Sequence, residues 1–189
     1  MPKFLTHIRS FARLPNQELA YLLTRLTKVT YKAGEILLRP GDEGSKMLLV
    51  EAGLLKSYFT KPDGEIVLKG FFKPGDAAVD YPGFLGRSKS SIYIEALSDG
   101  WAYLRPAGLS AELYARGLGW QLVDLEVLQR TVLLLSQRED ELISLTASER
   151  WDHLKTAFAD VIDQIPKKDI AAFIGITPES FSRILKARP

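Results

Sequence analysis

Five glycines place the strictest limit on how this chain can fold. Gly34, Gly41, Gly53, Gly64 and Gly75 lie 7, 12, 11 and 11 residues apart, and short apolar or β-branched runs fill the intervals. Turns at that spacing predict an antiparallel sandwich or barrel. The strands read as VTYKA, EILLR, KMLLVEAG, LLKSYFT, IVLKGFF, IYIEALS and GWAYLRP. Within TKPDGE, Asp63-Gly64 is a hairpin turn signal, because glycine tolerates the positive φ that such turns need. The mixture of alternation and solid apolar runs suits a roll with a packed interior. Residues 76–91, DAAVDYPGFLGRSKSS, interrupt the pattern with two glycines, a proline and a Ser/Lys/Arg cluster. They read as a loop or short helical cassette within the β-rich unit, and as its ligand-facing part.

Helical periodicity flanks the roll on both sides. Residues 16–27 place Leu19, Leu22, Leu23 and Leu26 at helical spacing, after an asparagine suited to capping and a glutamate in the first turn. After Pro106 the pattern turns helical again and stays so. Val127, Leu128, Val132, Leu135, Leu142 and Leu145 form a long apolar stripe, as either a buried helix or a dimerising one would. Thr146 with Glu149 then forms a capping box that starts a new helix through Leu154 and Phe158.

The segment IAAFIGITPESFSRILK, residues 170–186, holds two helices with a sharp turn between them. Gly175 can end the first helix in the left-handed conformation. Thr177 is a natural N-cap, Pro178 suits the first helical position, and Glu179 meets the positive end of the helix dipole. Ile170, Ala171, Ile176, Phe181 and Ile184 give the pair a shared apolar seam. This is a helix-turn-helix. Its second helix carries Glu179, Ser182, Arg183 and Lys186 on the remaining face, side-chain types that meet base edges and phosphates in a major groove. Over residues 167–189 the five cations Lys167, Lys168, Arg183, Lys186 and Arg188 stand against Asp169 and Glu179, a local charge of +3 where the whole chain carries only +2. The other reading of this face is a solvated helical hairpin.

Composition removes several classes of function. No cysteine is present, which excludes disulfides, thiolate nucleophiles and cysteine-held zinc or iron–sulfur clusters. His7 and His153 are the two histidines, neither on a predicted strand, so a haem sensor or a metal-dependent roll-fold enzyme is not expected. No nucleophile–base pair and no phosphate-binding glycine loop is evident, and neither cofactor nor metal is expected. Charges and Pro15 interrupt the N-terminus before a signal-peptide core can form. Apolar stretches fall far short of the ~20 residues that span a bilayer, so a soluble, cytoplasmic protein with no membrane partner is expected.

The order of a helix, a glycine-punctuated roll, a long helix and a C-terminal helix-turn-helix resembles the Crp/Fnr family of bacterial transcription regulators over nearly the whole chain. GITPESFSRILK looks like that family's recognition segment. The resemblance implies that Arg183 contacts guanine and Glu179 accepts from cytosine N4, with Ser182 assisting. The spacing of Glu179, Ser182 and Arg183 is closer to the Fnr-like version. Pro178 stands where Crp-like members carry a further base-reading arginine. The roll is similar to a cyclic-nucleotide-binding domain, whose phosphate cassette in cyclic-AMP-binding members holds a Gly-Glu pair and an Arg-Ser or Arg-Thr pair. Aligned through IYIEAL, this sequence has Ser90-Ser91 in place of Arg-Ser, and no Gly-Glu pair precedes it. Cyclic AMP is therefore not the expected effector. Arg87 and Lys89, with Ser90 and Ser91, are the candidates for a pocket holding a different, unidentified small molecule; a solvated loop is the alternative.

The resemblance implies an α+β chain in three parts. A double-stranded β-helix or jelly-roll sensor would occupy 1–106, a dimerisation helix and linker 107–145, and an all-α DNA-binding unit 146–189. The sequence ends three residues past Lys186, so the family's β-hairpin wing is expected to be absent; a natural short form and a truncated one would read alike. Phosphate contacts then fall to Lys167, Lys168, Thr177, Lys186 and Arg188. The expected partners are an inverted-repeat duplex DNA, a second copy of the chain, an effector and RNA polymerase. The rival function is a ligand-binding signalling module whose C-terminal helices dock on a protein.

Overall fold

The computed structural model describes residues 1–187. Two helices open the chain, α1 (Lys3–Phe11) and α2 (Asn16–Arg25). The first was not legible as periodicity, and much of what holds it is remote in sequence. Glu51, buried on a strand, accepts from the Lys3 and Phe4 amides at 2.9 and 3.2 Å and so satisfies donors at the helix start. Asn16 does not cap α2 but begins it; its Oδ1 accepts from Arg9 Nη2 at 2.8 Å.

Eight strands follow: β1 (Thr27–Tyr31), β2 (Ile36–Leu38), β3 (Lys46–Ala52), β4 (Leu55–Thr60), β5 (Ile66–Phe72), β6 (Ala77–Val79), β7 (Tyr93–Ala96) and β8 (Gly100–Pro106). They form two four-stranded sheets ordered β1-β8-β3-β6 and β2-β7-β4-β5, antiparallel at every pairing. This is the expected β-roll. All five spacing glycines take positive φ, between 82° and 104°. At Gly53 the requirement is doubled, since a Cβ there would lie 2.7 Å from the Asp99 carbonyl oxygen. The interrupted segment holds one strand more than the sequence suggested, β6, followed by the short helix α3 (Tyr81–Phe84).

The solid apolar run of β3 has a simple cause: both of its faces are covered. Leu48 and Val50 enter the core between the sheets, while Met47 and Leu49 enter a second core with α1, α2 and the helices after the roll. On β4, Leu55 points between the sheets, and Leu54 just before it and Tyr58 join a third core with the C-terminal helices.

Beyond the roll, Gly117 separates α4 (Leu109–Arg116) from α5 (Leu118–Ser144). At 27 residues α5 is roughly 40 Å long. Only Trp120 and Val123 on it are buried; Leu125, Leu128, Val132, Leu133, Leu134, Leu135, Leu142 and Ile143 are exposed. Then come α6 (Ala147–Ala157), a 3₁₀ turn at Ile162–Gln164, α7 (Lys167–Phe173) and α8 (Pro178–Lys186). Among the described residues no helix is long and apolar enough to cross a membrane.

Candidate nucleic-acid interface

The helix-turn-helix is assembled from local signals that the structure satisfies one by one. Ile176 N–H donates to the Ala171 carbonyl at 3.0 Å and Gly175 N–H to that of Ala172 at 3.3 Å, closing α7 with a Schellman motif. Gly175 has φ +77°, the left-handed value that motif requires. Thr177 Oγ1 accepts from the Ser180 amide at 3.2 Å, and Pro178 begins α8. Two arginines that sequence reasoning missed hold the turn from outside. Arg138 on α5 donates to the Phe173 carbonyl and lies 4.0 Å over the Phe173 ring, and Arg150 on α6 donates to the Ile174 carbonyl at 2.8 Å. Cations at the C-terminal end of α7 also meet its partial negative charge.

Apolar and polar faces separate cleanly. Ile170, Ala171, Ile174 and Phe181 are buried, Ile176 and Ile184 partly so, around Trp151, whose ring meets that of Phe181 edge-on at 5.1 Å. Glu179, Ser182, Arg183 and Lys186 are exposed on α8, as are Thr177 at its cap and Lys167 and Lys168 at the start of α7. Arg188 lies outside the described residues. The Glu179 carboxyl is held below the usual carboxylate range, first by its own backbone N–H, then by the Thr177 hydroxyl and the Arg183 charge. At neutral pH it is therefore an anion placed at a helix N-terminus, an acceptor suited to a cytosine amino group.

The cassette residues are arranged differently. Ser90 is buried, with its hydroxyl donating to the Ile92 carbonyl at 3.1 Å and accepting from the Ile92 amide at 3.2 Å. Arg87, Lys89 and Ser91 are exposed, and Lys89 lies 3.7 Å from Glu43. The four do not converge on an enclosed site. The inward-turned group of this segment is Asp80, 3% exposed, which no sequence signal marked. Its Oδ2 is the one buried side-chain polar atom without a hydrogen-bond partner among the described residues. It rests against Gly44 and Gly83, where an added Cβ would come within 3.6 and 3.3 Å of it. Two open surface depressions lie on helices, beside Asp152 and Lys155 on α6 and beside Leu133 and Leu134 on α5, and neither includes a roll residue. Among the described residues no group of three or more His, Cys, Asp or Glu side chains is placed to hold a metal ion.

The model of the cyclic nucleotide-binding domain family matches residues 28–116, from β1 through α4. The whole-chain architecture matches solved structures. FixK2 from Bradyrhizobium japonicum superposes with a TM-score of 0.72 at 20% identity, over 86% of this chain and 83% of that one. The c-di-GMP responsive global regulator CLP of Xanthomonas campestris gives 0.71 at 14% identity, over 92% and 91%. Residues 28–116 thus match the cyclic nucleotide-binding domain family, and the chain as a whole shares the fold of these solved structures. A regulator described as belonging to the crp/fnr family, from Eubacterium rectale, shares that fold with a TM-score of 0.70 at 16% identity, over 93% and 83%. No curated protein matches in sequence. The domain-family match covers the roll and α4, while the helix-turn-helix is placed by its own geometry and by the fold shared with the solved structures.

Proposed function

We propose that the protein is a homodimeric, sequence-specific DNA-binding transcription regulator of the Crp/Fnr type. One observation carries the reading: α8 buries its apolar residues against α6 and α7 and presents Glu179, Ser182, Arg183 and Lys186 together on an unobstructed face. Arg183 would meet guanine O6 and N7, Glu179 a cytosine amino group, and Ser182 a neighbouring base edge. Lys167, Lys168, Thr177 and Lys186 would contact phosphates, joined by Arg188, and so fix the register without reading sequence. The apolar residues left exposed on α5 supply the dimer contact, and a two-fold axis there would present two recognition helices to half-sites about 34 Å apart. The relatives' descriptions as regulators favour the same reading, and a cytoplasmic protein meeting RNA polymerase follows from it. No catalytic role is proposed.

Cyclic AMP is not the effector in this reading. Ser90 stands where the cyclic phosphate would need an arginine, and its hydroxyl is already engaged by Ile92. A missing charge-assisted bond of that kind costs about 1.5–3 kcal/mol. An effector of another class would act by differential affinity for two arrangements of the DNA-binding units.

The test is selection of the purified protein against a random duplex pool, with Arg183→Ala alongside, at two salt concentrations. The proposal predicts an enriched inverted repeat, lost by the variant and bound more weakly at high salt because phosphate contacts release counterions. An absence of enrichment at either salt, or binding of a protein partner insensitive to salt, would overturn it.

A further inference from the structure

The strand LLKSYF contains a lysine where a roll expects an apolar residue. Lys56 on β4 alternates with Leu55, which faces the core between the sheets, and so lies with Tyr58 on the outer face. That face is not solvated. The helix-turn-helix covers it, with Ile170, Ala171 and Ile174 of α7 and Trp151 and Leu154 of α6 in one apolar cluster with Leu54, Leu68 and Phe71 of the roll. Lys56 is 5% exposed and its partner Asp169, on α7, 4%. Their Nζ and Oδ2 atoms lie 3.1 Å apart. Glu95 on β7 lies 3.5 Å from the same ammonium and accepts from the Tyr58 hydroxyl at 2.9 Å. Lys56 also sits 5.3 Å over the Tyr58 ring, which stacks on Tyr93.

Buried ions of this kind add little stability over apolar packing, but a single partner's removal leaves a stranded charge, so the pair admits one arrangement of the surfaces it joins. An apolar seam alone would tolerate sliding. Asp169 follows directly on Lys167 and Lys168, which are exposed. The short helix α7 is therefore bonded to the roll on one side and turned outward with its lysines on the other, and α8 follows it through the closed turn at Gly175.

From this arrangement we infer that the Lys56–Asp169 pair is a positioning latch: it fixes each recognition helix relative to the roll and thereby sets which half-site spacing the dimer accepts. The inference rests on the DNA-binding reading for its consequence and on the buried pair for its existence. Lys56 and Asp169 are positioning residues; neither touches DNA in this account. Lys73, which donates to the Ala157 carbonyl at 2.8 Å and to Asp160 at 3.1 Å, braces the same junction from its exposed rim.

The experiment compares full-length wild type, Lys56→Met, Asp169→Asn and the double variant Lys56→Met/Asp169→Leu, which removes both charges of the pair and leaves Glu95 to the Tyr58 hydroxyl, in two measurements. In hydrogen exchange, the single variants should speed the amides of α7 and β5 while β3 and β8 stay protected, and the double variant should restore wild-type protection. On the selected operator with the half-sites moved apart or together by one and two base pairs, wild type should lose about tenfold or more in affinity off the best spacing, as a rigid bivalent binder does when geometry fails. The single variants should flatten that profile while a lone half-site keeps its affinity, and the double variant, whose apolar seam lacks the pair, should leave it flat. Unchanged exchange at α7 overturns the latch whatever the DNA result, and so does a single variant with a wild-type spacing profile. A wild type that selects no DNA removes the spacing role together with the regulator reading. If the single variants loosen β3 and β8 as well, the double variant decides: protected but indifferent to spacing supports the latch, protected and still spacing-selective overturns it.

Discussion

The helix-turn-helix and the cassette after β6 were both singled out from sequence for polar residues near glycines, and they fold on opposite principles. On α8 the polar side chains stay outside and the apolar ones close a core around Phe181. In the cassette Arg87 and Lys89 stay outside, but Ser90 is buried and bonded to its own neighbour, and Asp80 is turned in with an oxygen left unpartnered. The first arrangement offers a surface to a large ligand. The second turns two of its polar side chains inward, and one of them keeps an unpartnered atom.

Substitutions sharpen or break that contrast. The largest effect is expected at Phe181, 1% exposed: Phe181→Ala should cost about 3–5 kcal/mol and abolish the near-ultraviolet dichroism of Trp151, read by denaturant titration. A small cost would mean that the face on α8 is not backed by a packed core. Next, Asp80→Asn removes a charge from a buried, unpartnered oxygen and should stabilise the roll by about 1–3 kcal/mol. A lowered thermal midpoint would show that Asp80 is satisfied in solution and that the cassette is as well closed as the C-terminal unit.

Gly175→Ala should cost about 1–2 kcal/mol through the left-handed backbone alone, since the nearest atom to an added Cβ is 3.8 Å away. Calorimetry of the two proteins side by side would read it, and no change would contradict the Schellman closure. The smallest effect belongs to the cassette surface: Arg87→Ala with Lys89→Ala should leave stability within about 0.5 kcal/mol and leave operator affinity unchanged. A loss of operator affinity would instead tie this loop to the DNA-binding state.

What sequence revealed follows the range of the interactions. Gly175, Thr177, Pro178 and Glu149 act within a turn of chain, and each sits where its residue type predicted. The spacing glycines are local in the same sense, which is why the roll was legible. Helix α1 was not, because its amide donors are met by Glu51, 47 residues away from Phe4. The buried ion pair joins positions 113 residues apart, and its only trace in the sequence is a lysine within an apolar strand. The Asn16 cap failed for a related reason: Pro15 occupies the cap and Arg9 claims the asparagine side chain. The apolar stripe on α5 was visible, yet the exposure of its Leu128, Val132, Leu135 and Leu142, and of Leu133 and Leu134 beside it, depends on which segments of the roll and N-terminal helices reach α5, which periodicity does not record.

The central claim is that α8 reads bases through Arg183 and grips phosphate through Lys186. Its most direct test is to measure affinity for the selected operator, and for each single base-pair change in one half-site, across a salt series for wild type, Arg183→Ala and Lys186→Ala. The account predicts that Arg183→Ala loses about 1–3 kcal/mol on the operator and becomes indifferent to the base pair at one position. Lys186→Ala should weaken every sequence alike and reduce the salt slope by about one. Two variants that weaken binding uniformly, with base preference intact in both, would contradict it.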